Sequence, residues 1–415
     1  MTTIKVTTIK RSVSLIVASA LALGFAGVAN AAAISAFDAV SPVASVTSPR
    51  MTSGGSGDLA WTARSLIVGM TPTAAGDPTR YPGPGDDTTF HANPATYSGV
   101  VPIIMQFSGG AFICSASLIN RNTLVTAAHC VSGGFGTANP DVTTAFFQEN
   151  IGPTDRPNSD GTATSITISE YFVNPNYTGA VIDHNDIAIL RLSEDAPEWA
   201  QAYDMALDID SLRGVDFNVA GYGNRSLNGG DGPTGGATGG TTGFLRQGDN
   251  MFDYRFGDAI FGDNWYSIIG PESRTEFSYI SDFDSGRAEN DMACRVAQAV
   301  AGPAGAVFCD TGRGVTEVST AGGDSGGPQF DADWRILSVT SYGLSFGVNF
   351  GDCRSNLQSS CGEMNGFVPL YFHADWIGGI LAVPVSVSEP ATLAMMLAGL
   401  GFIGGGLRRR RRLAA

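Results

Sequence analysis

Short apolar runs separated by turn residues constrain the fold of this chain more than any other feature. From Val101 onward, runs rich in β-branched and apolar residues are bounded by Gly, Asn, Asp and Pro, as strands are. They cover residues 101–107, 111–119, 164–173, 187–192, 217–221, 336–341 and 367–372. Helical periodicity is scarce and predicts one short helix near residues 371–381. The pattern predicts an all-β protein, either a sandwich or a barrel.

The charge of the chain limits its partners. The formal net charge is −15, and only 15% of the residues are charged. Phosphate binding needs clustered Lys and Arg, so nucleic acid is excluded as the expected partner. An acidic surface of this kind ordinarily serves solubility.

The N-terminus has the pattern of a secretory signal. Lys5, Lys10 and Arg11 precede an apolar stretch over residues 13–28, and Ala29-Asn30-Ala31 forms a small-x-small cleavage site. Residues 1–31 are therefore predicted to be a signal peptide; a buried helix is the alternative, but no amphipathic stripe supports it. Residues 32–66 are rich in Ala, Ser, Thr, Val and Gly and are predicted to be a pro-segment or linker.

The C-terminus carries a second targeting pattern over residues 381–415. Residues 391–407 are almost wholly apolar, at the lower length limit of a membrane span, and Arg408 to Arg412 follow at once. With Ser388-Glu389-Pro390, this region resembles the PEP-CTERM sorting signal of exopolysaccharide-producing Gram-negative bacteria, although Ser388 stands where that family has Pro. The resemblance implies removal by an exosortase, transient membrane association, and an extracellular or cell-surface location. A permanent tail anchor is the alternative.

The six cysteines all lie between residues 114 and 361. Export permits disulfides, but six cysteines allow fifteen pairings, and spacing alone does not choose among them. The chain has no Cys-x-x-Cys pair and no His at zinc spacing from a Cys. No metal site and no cofactor are predicted.

Residues 323–328 read GDSGGP and contain a candidate nucleophile, Ser325. A nucleophilic serine needs an exposed hydroxyl on a tight turn and backbone N–H groups aimed at the developing oxyanion. Glycines permit such a turn and a close approach of substrate. In a chain with 54 glycines the pattern alone is weak, because it also suits an ordinary turn.

A serine nucleophile also needs a base and a carboxylate that orients the base. His129 closes the run LVTAAHC, and Asp186 lies at the mouth of the apolar run 187–192. Each has a structural explanation by itself, since His129 suits a hydrogen-bonded core and Asp186 suits a turn. Together the three follow the order His, Asp, Ser, one of several known orders for this triad.

Four patches resemble the chymotrypsin/trypsin family: residues 114–130, 173–192, 220–223 (AGYG) and 323–328. The likeness extends over about residues 67–380. It implies an all-β fold of two antiparallel six-stranded β-barrels with a short C-terminal helix and the site in the cleft between the barrels. It implies a triad of His129, Asp186 and Ser325, and an oxyanion hole formed by the N–H groups of Gly323 and Ser325.

The resemblance also implies disulfides. Cys114 would pair with Cys130 behind the catalytic histidine, and Cys294 with Cys309 ahead of the nucleophile. Cys353 and Cys361 remain as a pair without a clear family counterpart. The family usually has a further Cys shortly before the nucleophile; Ala321 stands there, which implies a looser pocket wall.

Specificity and activation follow from the same resemblance. Ser319 would lie at the base of the primary pocket, and Ser341-Tyr342-Gly343 would form the strand that pairs with substrate backbone, so an uncharged, apolar or aromatic residue is the expected preference. Asp324 would receive a new N-terminus after zymogen cleavage. Residues 64–70 (RSLIVGM) partly match such a start at Ile67, with a simple strand as the alternative.

The expected function is a secreted serine endopeptidase acting on protein or peptide substrates. One alternative is an α/β-hydrolase, which would need Asp352 and His373 as partners of Ser325 and leaves too little chain for its sheet. The other is a non-catalytic binding module on the same fold, against which the intact His, Asp and Ser weigh.

Overall fold

The computed structural model describes residues 50–65, 68–69, 88–108, 110–134, 136–226, 229–230, 236–237, 242–270 and 274–382. The predicted signal peptide, most of the predicted sorting tail, and Leu66 and Ile67 lie outside these residues. Within the described part of the chain, no helix combines the length and the apolar composition that a membrane crossing requires.

Two antiparallel β-sheets hold most of the regular structure. The strands are β1 (Met51–Ser56), β2 (Leu59–Ser65), β3 (Val68–Gly69), β4 (Val100–Phe107), β5 (Gly110–Asn120), β6 (Thr123–Thr126), β7 (Val142–Phe147), β8 (Thr164–Val173), β9 (Ala188–Leu192), β10 (Asp216–Gly221), β11 (Arg246–Met251), β12 (Tyr254–Arg255), β13 (Tyr279–Asp282), β14 (Pro328–Phe330), β15 (Ile336–Ser345) and β16 (Met364–Pro369). The helices are α1 (Asn264–Ile269), α2 (Met292–Ala301) and α3 (Ala374–Leu381).

The first sheet is a closed six-stranded barrel. Its strands follow the order β5-β4-β7-β8-β9-β6, and β6 pairs back onto β5, while β3 adds to the edge of β5. On β4, Val101, Ile103 and Met105 face the barrel core, whereas Val100 and Ile104 pack in a separate cluster with residues of the second sheet. Both faces of β4 are therefore buried, which explains its continuous apolar run in the sequence.

The second sheet is a half-barrel, which corrects the expectation of a second closed six-stranded barrel. Its main path is β11-β10-β14-β15-β16-β13-β12, and its two end strands are consecutive in the chain. Between them, the N–H groups of Phe252 and Asp253 donate to Val215 and Ile280 respectively. The chain bends at this point, so the two end strands do not form one uninterrupted ladder.

The predicted C-terminal helix is present. A short 3-10 turn over Tyr371–His373 leads into α3, whose residues Ile377 and Ile380 are buried. Helix α2 was missed by the sequence analysis. Asp291 caps α2 by accepting a hydrogen bond from the Cys294 N–H, and two of the four buried residues of the helix, Ala293 and Ala297, are small. Small residues give a weak periodic signal, which is why the pattern was overlooked.

The predicted pro-segment contains regular structure. Strands β1 and β2 form an antiparallel hairpin, and β2 also pairs with β15 of the half-barrel. Along β2, Leu59, Trp61, Ala63 and Ser65 alternate as buried residues. This period of two is the pattern of a strand packed on one face. The region is rich in Ala, Ser and Thr, so the alternation of buried and exposed residues along β2 was not recognised in the sequence.

Candidate active site

The turn that carries Ser325 is held between the two sheets. The Ser115 N–H of β5 donates to the Ser325 carbonyl oxygen over 2.8 Å, and the Gly326 N–H donates to the Thr340 carbonyl oxygen of β15 over 2.8 Å. Gly326 has a φ of 77°, and a Cβ at this position would lie 1.9 Å from Thr126 Oγ1. The turn therefore requires glycine for both its backbone conformation and its close packing.

His129 lies on a short 3-10 turn, Ala128–Cys130, that follows β6. The disulfide between Cys114 and Cys130 ties this turn to β5. The backbone N–H of His129 donates to Asp186 Oδ1 over 2.7 Å. Asp186 therefore positions both the backbone and the side chain of His129.

Three side chains distant in sequence form one hydrogen-bonded row. His129 Nδ1 lies 2.6 Å from Asp186 Oδ2, and His129 Nε2 lies 2.8 Å from Ser325 Oγ. A carboxylate that accepts from Nδ1 selects the tautomer in which Nε2 can accept the serine proton. This geometry suits a serine hydroxyl activated as a nucleophile.

Asp186 is almost fully buried and is surrounded by donors. Besides His129, the hydroxyl of Ser341 donates to Asp186 Oδ2 over 2.5 Å. The sequence predicts that the backbone of Ser341 pairs with substrate, and the structure shows in addition that its side chain contacts the Asp186 carboxylate. Hydrogen bonds to a buried carboxylate offset the cost of taking its charge out of water.

The loop before Ser325 is held by backbone donors and by Ser115. The carbonyl oxygen of Gly323 accepts from Ser115 Oγ over 3.0 Å, and Gly323 has a φ of 105°. The carboxylate of Asp324 accepts from the N–H groups of Gly223 and Ala321 over 2.7 and 2.9 Å. Desolvation raises the pKa of Asp324, which is partly buried, to about 6. A cavity of about 160 Å³ borders Asp324, Gly223 and Ala321.

The predicted pocket residues lie beside this loop. Ser319 Oγ donates to Asn365 Oδ1 over 3.2 Å, and the N–H and hydroxyl of Thr320 donate to the same oxygen. Asn365, on β16, was not predicted, because no local motif marks it. Tyr342 is buried and its hydroxyl pairs with Ser278 over 2.7 Å; its ring lies against Gly366, where a Cβ would come within 2.1 Å of it.

The cysteines form the three expected pairs: Cys114–Cys130, Cys294–Cys309 and Cys353–Cys361. The partners required by an α/β-hydrolase are engaged elsewhere. His373 contacts Asn174 and the His184 carbonyl, and Asp352 accepts from the Ser345 hydroxyl. The two antiparallel sheets also lack the parallel βαβ order of that fold in the described residues.

A closed β-barrel joined to a half-barrel, with a Ser-His-Asp row at their boundary, is consistent with the trypsin-like fold class. Residues 92–238 match the family model described as Trypsin. That match includes His129 and Asp186, and it ends before Ser325. Residues 386–412 match the PEP-CTERM protein-sorting motif. Residues 92–238 are therefore similar to trypsins, and a PEP-CTERM motif follows later in the chain.

Curated relatives are trypsin-like serine proteases. The chain is 31% identical over 137 residues to "Trypsin theta" of Drosophila melanogaster, which is 32% of this chain and 45% of that protein. It is 29% identical over 134 residues to "Trypsin" of Xenopus laevis, covering 32% of this chain and 50% of that protein. The chain thus spans about half the length of the curated relatives it matches.

Proposed function

We propose that this chain is an exported serine endopeptidase in which Ser325 is the nucleophile, His129 the general base and Asp186 the orienting carboxylate. The observation that carries the proposal is the row of hydrogen bonds from Asp186 through His129 to Ser325 Oγ. Membership of residues 92–238 in the trypsin family supports the same reaction class.

The reaction begins when Ser325 Oγ attacks the carbonyl carbon of a peptide bond and His129 Nε2 takes the hydroxyl proton. Asp186 stabilises the imidazolium that forms. His129 then gives the proton to the leaving amine, the C–N bond breaks, and an acyl-enzyme remains on Ser325. Water, deprotonated by His129, attacks the ester and releases the acid.

The oxyanion would be held by the backbone N–H groups of Gly323 and Ser325. In support, the Gly323 carbonyl oxygen is engaged by the Ser115 hydroxyl, which fixes the orientation of the adjoining peptide. Donors held in place before the reaction stabilise developing charge without reorganisation.

An uncharged primary pocket would favour an apolar or aromatic residue before the cleaved bond. Ser319 and Asn365 supply hydroxyl and amide groups at the proposed pocket base, and neither carries a charge. A cationic substrate side chain would gain no ion pair from Ser319 or Asn365 to offset the loss of its hydration. Gly343 on β15 would leave the entrance open, and the backbone of Ser341, Tyr342 and Gly343 would pair with substrate.

The substrates would be proteins or peptides outside the cytoplasm. The PEP-CTERM motif indicates sorting toward the bacterial cell surface. An exosortase-type enzyme would process the tail, with transient membrane association through residues 391–407 in a Gram-negative host. The signal peptide over residues 1–31 and the release of the tail both remain predictions.

The test compares the full-length wild type with Ser325→Ala. Wild type should hydrolyse peptide substrates and react with a fluorophosphonate at Ser325. Ser325→Ala should lose both, with an unchanged circular dichroism spectrum and melting temperature, because it removes one oxygen from a formed site. Equal peptide hydrolysis by the two proteins would refute the assignment. A processed wild type that never labels would favour the non-catalytic binding module.

A further inference from the structure

The cavity beside the nucleophile is lined by parts of the chain that are distant in sequence. One part is the segment that leads to Ser325, from which Ser319, Thr320, Ala321 and Asp324 border the cavity. Another is Ser359, which lies in a disulfide loop that we define as residues 353–361, between β15 and β16. The position of the disulfide loop therefore helps to shape the space next to the proposed pocket base.

The disulfide of this loop does not join it to the nucleophile. Ala321 stands where the family resemblance expects a cysteine, and residues 319–325 contain none. Cys353 instead pairs with Cys361, and the Cys353 N–H donates to the Cys361 carbonyl oxygen over 2.9 Å. These bonds close the disulfide loop on itself, so its position against the cavity depends on other contacts.

Glu363 supplies three of these contacts with one carboxylate. Its Oε1 accepts from the Gln358 N–H over 2.7 Å and from Ser360 Oγ over 2.9 Å, and its Oε2 accepts from the Ser359 N–H over 2.7 Å. The side chain of Glu363 is buried, and hydrogen bonds to a charged group are strong where water is excluded. A single side chain therefore fixes three consecutive residues of the disulfide loop.

Glu363 itself stands on the half-barrel. It precedes Met364, which begins β16 and pairs with Asp282 of β13. The Phe283 N–H donates to the Glu363 carbonyl oxygen over 2.9 Å, and the Gly362 N–H donates to the Phe283 carbonyl oxygen over 2.7 Å. The carboxylate is thus held by the end of a paired strand and not by the loop that it positions.

The loop residues that Glu363 holds also contact a third part of the cavity lining. The Ala237 N–H donates to the Gln358 carbonyl oxygen over 2.7 Å, and the Cys361 N–H donates to the Gly230 carbonyl oxygen over 3.0 Å. A Cβ at Gly236 would lie 2.7 Å from the Gln358 carbonyl oxygen. Gly230, Gly236 and Ala237 all border the cavity. A shift of the disulfide loop would therefore change the lining in more than one place.

Ser359 has a backbone conformation that requires such support. Its φ is 58°, in the left-handed region that a serine seldom adopts. A conformation of this kind persists where the surrounding contacts fix it. The hydrogen bond from the Ser359 N–H to Glu363 is one such contact. Without the carboxylate, residues 358–360 should relax away from this conformation.

We infer that Glu363 positions residues 358–360 as a wall of the substrate cavity, and that the Cys353–Cys361 disulfide limits the loop to this position. This inference rests on the proposed function and adds a positioning residue to it. An apolar or aromatic side chain would enter a cavity whose wall is already ordered. It would not have to order the loop on binding, which saves free energy.

The ionisation of Glu363 should make this role depend on pH. Desolvation, and then repulsion from Asp352, raises the pKa of Glu363 to about 7. Arg64 of β2 acts on Glu363 with the opposite charge, and Arg354 of the disulfide loop acts on Asp352. Above pH 7 the carboxylate can accept all three hydrogen bonds. When it gains a proton below pH 7, one oxygen becomes a donor and opposes a donor of the loop.

The first experiment measures KM for the secreted enzyme and for Glu363→Gln. Two peptide substrates differ only in the residue before the cleaved bond, which is phenylalanine or alanine. At about pH 8.5, Glu363→Gln should raise KM for the phenylalanine substrate by about tenfold, because binding must then order the loop. The alanine substrate leaves the cavity largely unfilled and should show a much smaller change. The kcat for the alanine substrate should stay close to that of wild type.

The ratio of KM in Glu363→Gln to KM in wild type should fall as the pH falls. At about pH 5.5 Glu363 of the wild type is protonated as well, so the ratio should approach about one. The triad is the same in both proteins, and its own pH dependence cancels in the ratio. Glu289→Gln removes an exposed carboxylate at a nearby position in the sequence, and it should leave KM unchanged for both substrates at every pH.

Several results would contradict the role of Glu363. An equal rise in KM for the two substrates, or a ratio that does not change with pH, would show that Glu363 only stabilises the fold. A lower melting temperature with unchanged KM would show the same. Each of these results would leave the proposed peptidase intact. A wild type that neither hydrolyses peptides nor reacts with a fluorophosphonate would overturn the proposed function and this inference together.

A second set of variants guards against a folding defect in Glu363→Gln. Ser360→Ala removes one of the three donors and should raise KM for the phenylalanine substrate by about threefold, less than Glu363→Gln does. An unchanged KM in Ser360→Ala and in Glu363→Gln would overturn the inference even if both variants fold normally.

The disulfide is tested by changing both of its cysteines. Cys353→Ser together with Cys361→Ser removes the covalent limit and leaves the Glu363 carboxylate in place. If the disulfide and Glu363 hold the same residues, adding Glu363→Gln should raise KM by less than the product of the two separate effects. An effect equal to that product would show that the two devices act on different parts of the cavity, and it would overturn their joint role.

Discussion

The hydroxyl of Ser341 on β15 donates to Asp186 Oδ2 over 2.5 Å, although 155 positions separate the two residues. The half-barrel therefore supplies a donor to the carboxylate of the first barrel. Through Asp186 it acts on the orientation of His129. The hydrogen bond between Ser341 and Asp186 therefore joins the two halves of the molecule and also helps to align the triad.

Ser341→Ala should lower kcat and leave KM nearly unchanged, because the substitution keeps the backbone that would pair with substrate and removes only the side-chain hydroxyl, which acts through Asp186 and His129. A hydrogen bond to a charged group contributes about 1.5–3 kcal/mol, so a fall of about 10- to 100-fold is expected. Steady-state kinetics of the processed enzyme measures the change, and Ser341→Thr, which keeps a hydroxyl, should recover most of it. A rise in KM alone would mean that the side chain contacts substrate.

Ser319→Asp should redirect cleavage toward Arg and Lys. A carboxylate at the proposed pocket base would pair with a cationic side chain that the present Ser319 and Asn365 cannot neutralise. The ratio of kcat/KM for Lys against Leu substrates should rise by about tenfold or more. Ser319→Ala is the matched control and should keep the uncharged preference. An unaltered profile in Ser319→Asp would place the pocket base elsewhere.

His373 should make the fold sensitive to acid. Its Nε2–H donates to the His184 carbonyl over 2.7 Å, and burial lowers the pKa of His373 to about 4. Because the folded pKa lies below the unfolded value of 6.5, the contribution is complete above pH 6.5 and is lost as pH falls toward 4. The loss corresponds to about 3 kcal/mol.

His373→Gln should flatten that decline between pH 6.5 and 4, at the cost of lower stability at neutral pH. Urea unfolding of Ser325→Ala with and without the second change measures the difference at each pH. A constant difference across the range would show that His373 does not titrate on unfolding.

Asp324 should have the opposite effect on the pH dependence of stability: in the unprocessed chain it should make the fold less stable as the pH rises. Burial raises the pKa of Asp324 from 3.8 to about 6, so its effect is absent below pH 3.8 and its carboxylate destabilises the fold as pH rises through 6. The change amounts to about 3 kcal/mol. Asp324→Asn in the Ser325→Ala background should remove this trend, as followed by urea unfolding from pH 4 to 7.

The processed enzyme offers an independent check on Asp324. If the amine of Ile67 reaches this carboxylate, as the family resemblance implies, the charged form of Asp324 gains a partner and the destabilisation at neutral pH disappears. Processed wild type should then lose activity on Asp324→Asn substitution. Full activity of processed Asp324→Asn would show that the enzyme does not need the Asp324 carboxylate to become active after cleavage.

Local patterns in the sequence indicated each of the three residues of the row, and the order of these patterns and the family resemblance predicted that the three act together. GDSGGP marks a glycine-rich turn, LVTAAHC marks a strand that ends in a histidine beside a cysteine, and Asp186 precedes a wholly apolar strand. Each pattern is local because the turn or strand that it specifies is formed by neighbouring residues. Two disulfide pairings followed from the family resemblance and the third from the two cysteines that remained; all three agree with the structure.

The sequence did not predict the hairpin over residues 50–65, because its stability depends on a partner far along the chain. Trp61 gains its hydrogen bond and its burial from α1, 207 positions away. The bend at Phe252 and Asp253 also depends on distant residues, because the two N–H groups donate to the carbonyl oxygens of Val215 and Ile280. The bend interrupts the pairing between the end strands of the second sheet, which therefore forms a half-barrel.

The sequence by itself determined that the protein is rich in strands and indicated His129, Asp186 and Ser325 as site residues. Both conclusions depend only on short stretches of neighbouring residues. Only the tertiary structure decided that Ser341 would hold Asp186, that β2 would pair with β15, and that Asp282, Asp284 and Asp291 would converge. These relationships join residues on different strands and helices. Their distances depend on how the two sheets pack, which no local pattern encodes.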